Sequence, residues 1–436
     1  MKSILVLVIA LFIFPLQAQE RKSLDECIVL AWKQNPGFRN SSIRVKETRM
    51  DYFTSIGNFL PRAHVTAEAG RRFGRSIDPN TNGYTTDTFD EGTVGLDMTL
   101  SLFEGFARIN RVRFEKLNLR KSKWELKEQQ NELAYRVTDT YYKVLLEERL
   151  LHLAHEQATL SERYLKQTES FAELGLKSLS DLQEVKARRE GDIYRCQLRE
   201  NSYRLSLLQL KQLLNMQEGD TLAIQDTIDY EQLPIILIPE TNNLYTQSIG
   251  VMPSFQIADL QRRAAQKQYA MAGGGFSPTV YARFSMASNY FDGYSSRQLN
   301  DNLGKYIGIG ISFPLLSGLE RLTKMRKQKL NIYRWQNEKE QAEQQLYTEV
   351  EQTVLSLHAG YQEHRQAILQ LNAEKLVLKE SERKWEEGLI SVFQLMEARN
   401  RFISAKAELI RVRLQAEMNI QLEEYYRTGY FGPHSL

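Results

Sequence analysis

His152 and His155 sit three residues apart, a spacing that places two imidazoles on one helix face, where they could share a metal ion. No cysteine or third histidine falls in register with them, so the pair reads as two solvated side chains. The run Gly273 to Gly275 has the glycine density of a phosphate loop but lacks the Lys and Ser/Thr that would follow one. It reads as the flexible passage from a helix to a strand. Neither Ser/His/Asp nor paired-carboxylate logic stands out at any plausible spacing, so the chain is expected to be a non-enzyme without metal or cofactor.

The elements that carry these residues are written twice. Asn35, Pro36, Phe38, Phe59 and Pro61 recur in kind around Met252, Pro253, Phe255, Phe276 and Pro278; Phe255 minus Phe38 and Pro278 minus Pro61 both equal 217. Further on, Leu102, Gly105, Leu133, Val137, Gly175, Ser178 and Glu184 match Leu315, Gly318, Leu346, Val350, Gly388, Ser391 and Glu397 at one constant offset; Gly388 minus Gly175 and Glu397 minus Glu184 both equal 213. The offset falls by four in a variable loop between Pro61 and Leu102. A repeat this long, with its phase preserved, predicts two similar units of one body.

The 436 residues are 42% hydrophobic and 25% charged with a net charge of +3, too balanced to imply a nucleic-acid partner. Residues 1–18 combine Lys2, an apolar run from Ile4 to Phe14, and Ala18, the order of a secretory signal peptide. Export is expected, with cleavage after Ala18. No later segment has about 18 continuous apolar residues, which leaves strands as the route into a membrane.

After Pro61 the hydrophobic period drops to two. Ala63, Val65, Ala67 and Ala69 alternate with polar residues; so do Val94, Leu96, Met98, Leu100 and Leu102, then Val280, Ala282, Phe284 and Met286, and Ile307, Ile309, Ile311 and Phe313. Alternation alone suits a soluble sandwich better. The context tips the reading to membrane strands: four strands only, each pair between very long helices, joined by long polar loops. Val65, Leu96, Met98, Phe284, Ile309 and Ile311 are then expected to face lipid, with Phe73, Tyr84, Phe89, Tyr290, Phe291, Tyr294 and Tyr306 near an interfacial girdle.

From Phe106 to about Phe171 there is neither Gly nor Pro, and Leu126, Leu133, Val137, Thr140, Val144 and Leu151 mark a heptad-like seam. A helix of this length would span about 100 Å. Two shorter helices, 23–56 (opened by a Ser23/Glu26 capping box and interrupted at Pro36) and 178–216, match it end to end; helices over 244–272, 318–385 and 391–427 repeat the scheme. That arrangement separates Cys27 from Cys196 by about 30 Å, so no disulfide is expected. The divisions are a first repeat over 22–216, a connector over 217–243 with a short strand at Ile235 to Ile238, a second repeat over 244–428 and a tail over 429–436.

The signal peptide, the duplicated helix, strand, strand, helix, turn, helix order, the paired turns GLKSLSDLQEVKA and GLISVFQLMEARN, and the strand preludes FLPRAHV and FSPTVYA together resemble the TolC-like outer-membrane efflux family. The resemblance covers about residues 22 to 428. It implies a mainly α fold with a small β part: a long coiled-coil α-barrel continuous with a transmembrane β-barrel, four strands per chain and 12 in a homotrimer. Elementary physics agrees, because four strands leave two open edges that cannot face lipid, and two copies would nearly fill the lumen.

The family also implies an outer-membrane location with a long periplasmic extension, and partners in a periplasmic adaptor and an inner-membrane transporter. Docking is expected at the turns, at Gly175, Leu176, Ser178, Leu182, Gly388, Leu389, Ser391 and Leu395. Asp181, beside Ser180, holds the position of one partner in the family's gate links, Trp385 stands where Tyr is frequent, and Ile390 replaces a linking Arg. Glu397 matches one acid of an entrance ring, while Gln394 replaces the other. The turns are expected to have unequal roles in opening. The resulting expectation is a passive exit duct of a tripartite efflux or type I secretion system; its rivals are an exported coiled-coil scaffold or adhesion protein with a soluble sheet, and a duct dedicated to proteins or metals.

Overall fold

The computed structural model describes residues 21–77, 82–86, 88–217, 219–291, 294 and 296–433; the expected signal peptide lies outside them. In chain order the elements are α1 (Leu24–Gln34), α2 (Pro36–Gly57), β1 (Arg62–Arg72), β2 (Ser76–Ile77), β3 (Tyr84–Thr85), β4 (Phe89–Glu104), α3 (Ala107–Glu173), α4 (Leu179–Leu213), α5 (Thr241–Val251), α6 (Pro253–Gly274), β5 (Thr279–Phe291), α7 (Ser296–Asp301), β6 (Gly304–Ser312), α8 (Glu320–Glu386) and α9 (Val392–Thr428). Proline at the head of α2 and of α6 explains both helix breaks, since it lacks the donor an interior helical residue needs. The two long helices, α3 and α8, have 67 residues each. Among the described residues no helix is apolar enough to cross a membrane.

Two compact units are formed, one from Ser41–Glu128 and Met252–Leu346, the other from residues up to Asn40, Gln129–Val251 and those from Tyr347 onward. The first holds an antiparallel sheet in the order β1-β4-β5-β6. Both β1 and β4 run further than alternation alone indicates, because ion pairs Arg71–Asp90 (2.7 Å) and Arg72–Glu91 (2.6 Å) zip their ends. Below the sheet, Gly105 (φ 58°) and Gly274 press backbone against backbone; a Cβ on Gly274 would lie 2.6 Å from the Gly105 carbonyl oxygen. Within the glycine run, Gly274 is therefore a close packing point, where a flexible passage was expected, while the space at Gly273 is open.

In the second unit α3 and α9 share a core of Leu133, Val137, Leu145, Ile410, Leu414 and Met418. Helix α4 lies on α3, tied by Arg189–Glu162 (2.9 Å) and Arg199–Glu147 (3.5 Å), and α8 lies on α9, tied by Tyr426–Glu349 (3.2 Å) and Arg401–Glu374 (3.4 Å). Asn35 caps α2 through Gly37 N–H and donates to Leu213 O at the end of α4 (3.1 Å). Ser248 of α5 donates to Tyr426 O at the end of α9 (2.8 Å).

Among its described residues the connector makes one parallel bridge, Ile224 to Lys22, and has no strand at Ile235 to Ile238. Its backbone is satisfied by side chains instead. The Tyr361 hydroxyl accepts from Ile236 N–H (3.0 Å) and donates to Pro234 O, and Arg413 donates to Asp229 O (3.0 Å) and Gln232 O (2.9 Å).

Candidate functional site

Two surfaces stand out, one on each unit. On the sheet, the register puts Val65 opposite Leu96, Leu96 opposite Met286, Met98 opposite Phe284, Phe284 opposite Ile307, Ala282 opposite Ile309 and Val280 opposite Ile311. Directly opposed residues share a face, so Val65, Leu96, Met98, Phe284, Ile309 and Ile311 form one apolar surface. It carries no covering layer: Val65, Ile307, Ile309 and Ile311 are 70–83% exposed. A soluble sandwich would bury such a face.

The opposite face is polar. Asp97 pairs with Arg283 (2.8 Å), flanked by Thr66, Thr99 and Ser285. Two glycines there are roofed by tyrosines, Gly310 by Tyr281 and Gly308 by Tyr306, where any Cβ would collide with the ring. Strand parity divides the expected aromatic girdle. Tyr290 lies on the apolar face over Gly92, but Phe89, Phe291 and Tyr306 belong to the polar face, with Phe89 and Phe291 in ring contact at 3.9 Å.

On the helical unit, the turns joining α3 to α4 and α8 to α9 lie at one end. Gly175 (φ 75°) and Gly388 (φ 77°) take the left-handed conformation that ends each long helix, and it is strained for residues with a Cβ. Ser178 and Ser391 then open α4 and α9 as N-caps, in complete capping boxes closed by Asp181 and Gln394. Asp181 accepts from Ser178 Oγ (2.8 Å) and Ser178 N–H (3.1 Å), which holds its carboxyl below the usual range. Asp181 and Gln394, two of the residues expected at the gate, are thus engaged within their own turns.

Trp385 is 2% exposed and fills a core with Val185, Val392, Leu395 and Met396, edge-on to Tyr164 (5.4 Å between centroids) and tilted against Phe171 (6.2 Å). Leu395, expected on the docking surface, is 0% exposed, because the inner face of α9 carries it into that core. Leu182 is half-buried, while Leu176 and Leu389 are exposed as expected and Ser180 is also exposed. Leu174, Leu179 and Phe393 join them on the surface; their place at the ends of capped helices was the available signal. Glu397 is solvated, 3.9 Å from Arg401.

Further from the tip is a buried polar cluster that sequence spacing does not reveal. Asp192, 1% exposed, accepts from Gln157 (2.9 Å), Ser161 and Arg195, and Asn400 accepts from Arg188 and Gln157 (3.3 Å). Arg399, 3% exposed, donates to Gln157 O (2.8 Å) and lies over the Tyr164 ring (5.5 Å); burial draws its pKa down. These polar contacts link α3, α4 and α9. Nearby, His155 meets Cys196 at 3.3 Å across the α3–α4 contact, whereas His152 pairs with Glu156 at 3.3 Å; among the described residues no group of three or more metal-ligating side chains forms. Both cysteines are free, and burial pushes the Cys27 thiol up to about 12.

A one-sided apolar sheet open at both edges, joined in sequence to paired 67-residue helices, defines a strand-anchored membrane protein with a helical body. The chain belongs to the outer membrane efflux protein family, matching it over residues 27–216 and 244–422. A comparison with curated protein sequences returns no match. Among solved structures, the fold is similar to the Campylobacter jejuni CmeC outer membrane channel (TM-score 0.83, 13% identity, 95% of this chain and 87% of that one). It is similar as well to the outer membrane protein VceC of Vibrio cholerae (0.80, 15%, 94% and 97%) and to the open state of the Neisseria gonorrhoeae MtrE outer membrane channel (0.77, 15%, 93% and 89%). At such identities the likeness is one of fold. The chain is an outer-membrane efflux protein, and its family is one of channels, not enzymes.

Proposed function

We propose that three copies close a 12-stranded barrel and that the trimer serves as a passive exit duct, receiving substrate from an inner-membrane transporter through a periplasmic adaptor. The carrying observation is the uncovered apolar sheet face with open edges at β1 and β6. Lipid satisfies the face, and edge-to-edge pairing of copies satisfies the edges. Three chains leave an aqueous lumen lined by the Asp97, Arg283 and Thr66 side; two would fill it with side chains. Chemical energy enters through the partners, since the duct itself only conducts.

Adaptor docking at Leu176 and Leu389 is supported by their exposure at the turns. Gly175 and Gly388 are poor positions for testing this, since any side chain there also strains the turn. Leu176→Asp and Leu389→Asp should leave a heat-resistant trimer in the outer membrane and abolish export; export at the normal rate by both variants would remove docking from these turns. For the barrel, Leu96→Arg and Ile309→Arg should each cost about 2–4 kcal/mol near the bilayer midplane and block insertion. Recovery of the wild-type protein as a soluble monomer that forms no conducting pores in planar bilayers would overturn the duct.

A further inference from the structure

Helix α3 meets α6 around a cleft of about 500 Å³, a size within the range of small-molecule sites. Its lining carries Arg120, Lys123 and Lys127 from α3 and Arg263 from α6, with Asp259 the one acid among its described residues. Asp259 is already engaged by Arg262 (3.0 Å) and Arg263 (3.8 Å), so the α3 cations have no free carboxylate in the lining. Successive spacings of three and four put Arg120, Lys123 and Lys127 on one helix face, where like charges destabilise the helix. The floor is apolar: half-buried Trp124 packs on a cluster of buried Leu117, Leu260 and Ala264. Lys127 lies 5.1 Å from the centre of the Trp124 ring, and burial there draws its pKa down.

The internal duplication shows that the fold does not need this charge. Adding 213 carries Arg120, Lys123, Trp124 and Lys127 to Tyr333, Gln336, Asn337 and Glu340, so none of the three cations and no indole returns at these positions of α8. Helix α8 nevertheless reaches the same length as α3. The position of the cleft also narrows what could enter it. Arg120 and Lys127 stand 13 (120 − 107) and 20 (127 − 107) residues into α3, about 20–30 Å from the start of that helix beside β4. Lipid head groups extend only about 5–8 Å past the hydrocarbon that the sheet would occupy, so a ligand here is a soluble one.

We propose that this cleft binds a small organic anion with a flat apolar ring system, its anionic groups held by Arg120, Lys123, Lys127 and Arg263 and its ring against Trp124 and Leu260. An anion relieves the like-charge repulsion along α3, and a ring covers the half-exposed indole. A bare inorganic anion uses only the charged half of the lining, and a neutral apolar ligand leaves the cations as they are. Every lining residue belongs to one chain and to one compact unit, so the site is complete in a single copy.

The test uses the full-length chain in non-ionic detergent and, as probe, pyrenetrisulfonate, a flat trianion too polar to enter micelles. Equilibrium dialysis should find a single dye bound per chain, with tryptophan fluorescence quenched by energy transfer. Arg120→Gln combined with Lys123→Gln should weaken binding by about tenfold or more, the scale of one charge-assisted hydrogen bond. Lys324→Gln combined with Lys329→Gln, at exposed positions of α8 outside the cleft, should leave it unchanged. Glutamine is a good helix former, so these variants keep their helices. No binding, binding untouched by the Arg120 and Lys123 changes, or equal weakening by the α8 pair overturns the proposal, the last by reducing the interaction to overall charge. Trp124→Leu keeps an apolar side chain on Leu260 and should weaken the dye, and sulfate should displace the dye no better than chloride does at matched ionic strength. Full affinity in Trp124→Leu, or ready displacement by sulfate, would make this a simple anion site and overturn the ring system as part of the ligand.

Discussion

The two tip turns share one code and use it differently. Subtracting 213 pairs Gly388 with Gly175, Ser391 with Ser178, Val392 with Leu179, Leu395 with Leu182 and Trp385 with Ala172. The backbone is the same in both, a left-handed glycine followed by a serine capping box. Burial is not: Val392 and Leu395 are 3% and 0% exposed, whereas Leu179 is 72% exposed and Leu182 half-buried. The start of α9 is the core of the tip, and the start of α4 is its surface. Duplication preserved the turn while packing assigned the sides.

The largest expected effect is at Trp385. Trp385→Ala removes the indole from between Tyr164, Phe171 and Val185 and should cost about 3–5 kcal/mol of local tip stability, read as protease cleavage and faster amide exchange at the ends of α3 and α8. Its counterpart, Ala172, has no comparable side chain to lose. Unchanged exchange in Trp385→Ala would mean that the α8–α9 turn is not held by this core.

Next comes a matched pair of changes. Leu395→Ala should cost about 2–5 kcal/mol, the range for emptying a fully buried leucine site, and Leu182→Ala distinctly less because that side chain is only half-buried. Equal losses, measured by denaturant unfolding of the assembled protein, would erase the asymmetry between the turns. The caps are expected to behave alike. Ser178→Ala and Ser391→Ala each remove one capping oxygen and should cost about 1 kcal/mol.

What the sequence made legible follows from local rules. Period set the helices and strands, proline set the breaks in front of α2 and α6, and the Ser23, Ser178 and Ser391 boxes set helix starts. The residues that went astray depend on neighbours distant in sequence. Leu182 and Leu395 look identical locally, and only the packing of α9 against α3 and α4 separates them. Ile235 to Ile238 has strand composition, but Tyr361, far along the chain on α8, takes the hydrogen bond of Ile236 N–H. His155 lacks a cysteine partner in helical register yet has Cys196 across the α3–α4 contact. Asp192 reads as an ordinary helix carboxylate until three helices bury it.

The smallest effect is the most selective between the turns, because their capping boxes differ in one ionisable group. Asp181 accepts from both the N–H and the hydroxyl of Ser178, which stabilises its charged form and lowers its pKa. A carboxylate with a depressed folded pKa contributes stability that is fully present above its unfolded value, near 4, and lost as pH falls through the folded one. Gln394 makes the corresponding bond to Ser391 N–H (3.0 Å) without any charge to titrate. Acidification below about pH 4 should therefore loosen the first turn of α4 before that of α9, seen as earlier amide exchange at Leu182 than at Leu395 relative to their neutral-pH rates. Asp181→Gln should remove the difference in pH response while keeping the cap, and Gln394→Glu should confer it on α9. Parallel acid responses in the wild-type turns would show that the charge on Asp181 contributes nothing beyond the shared geometry.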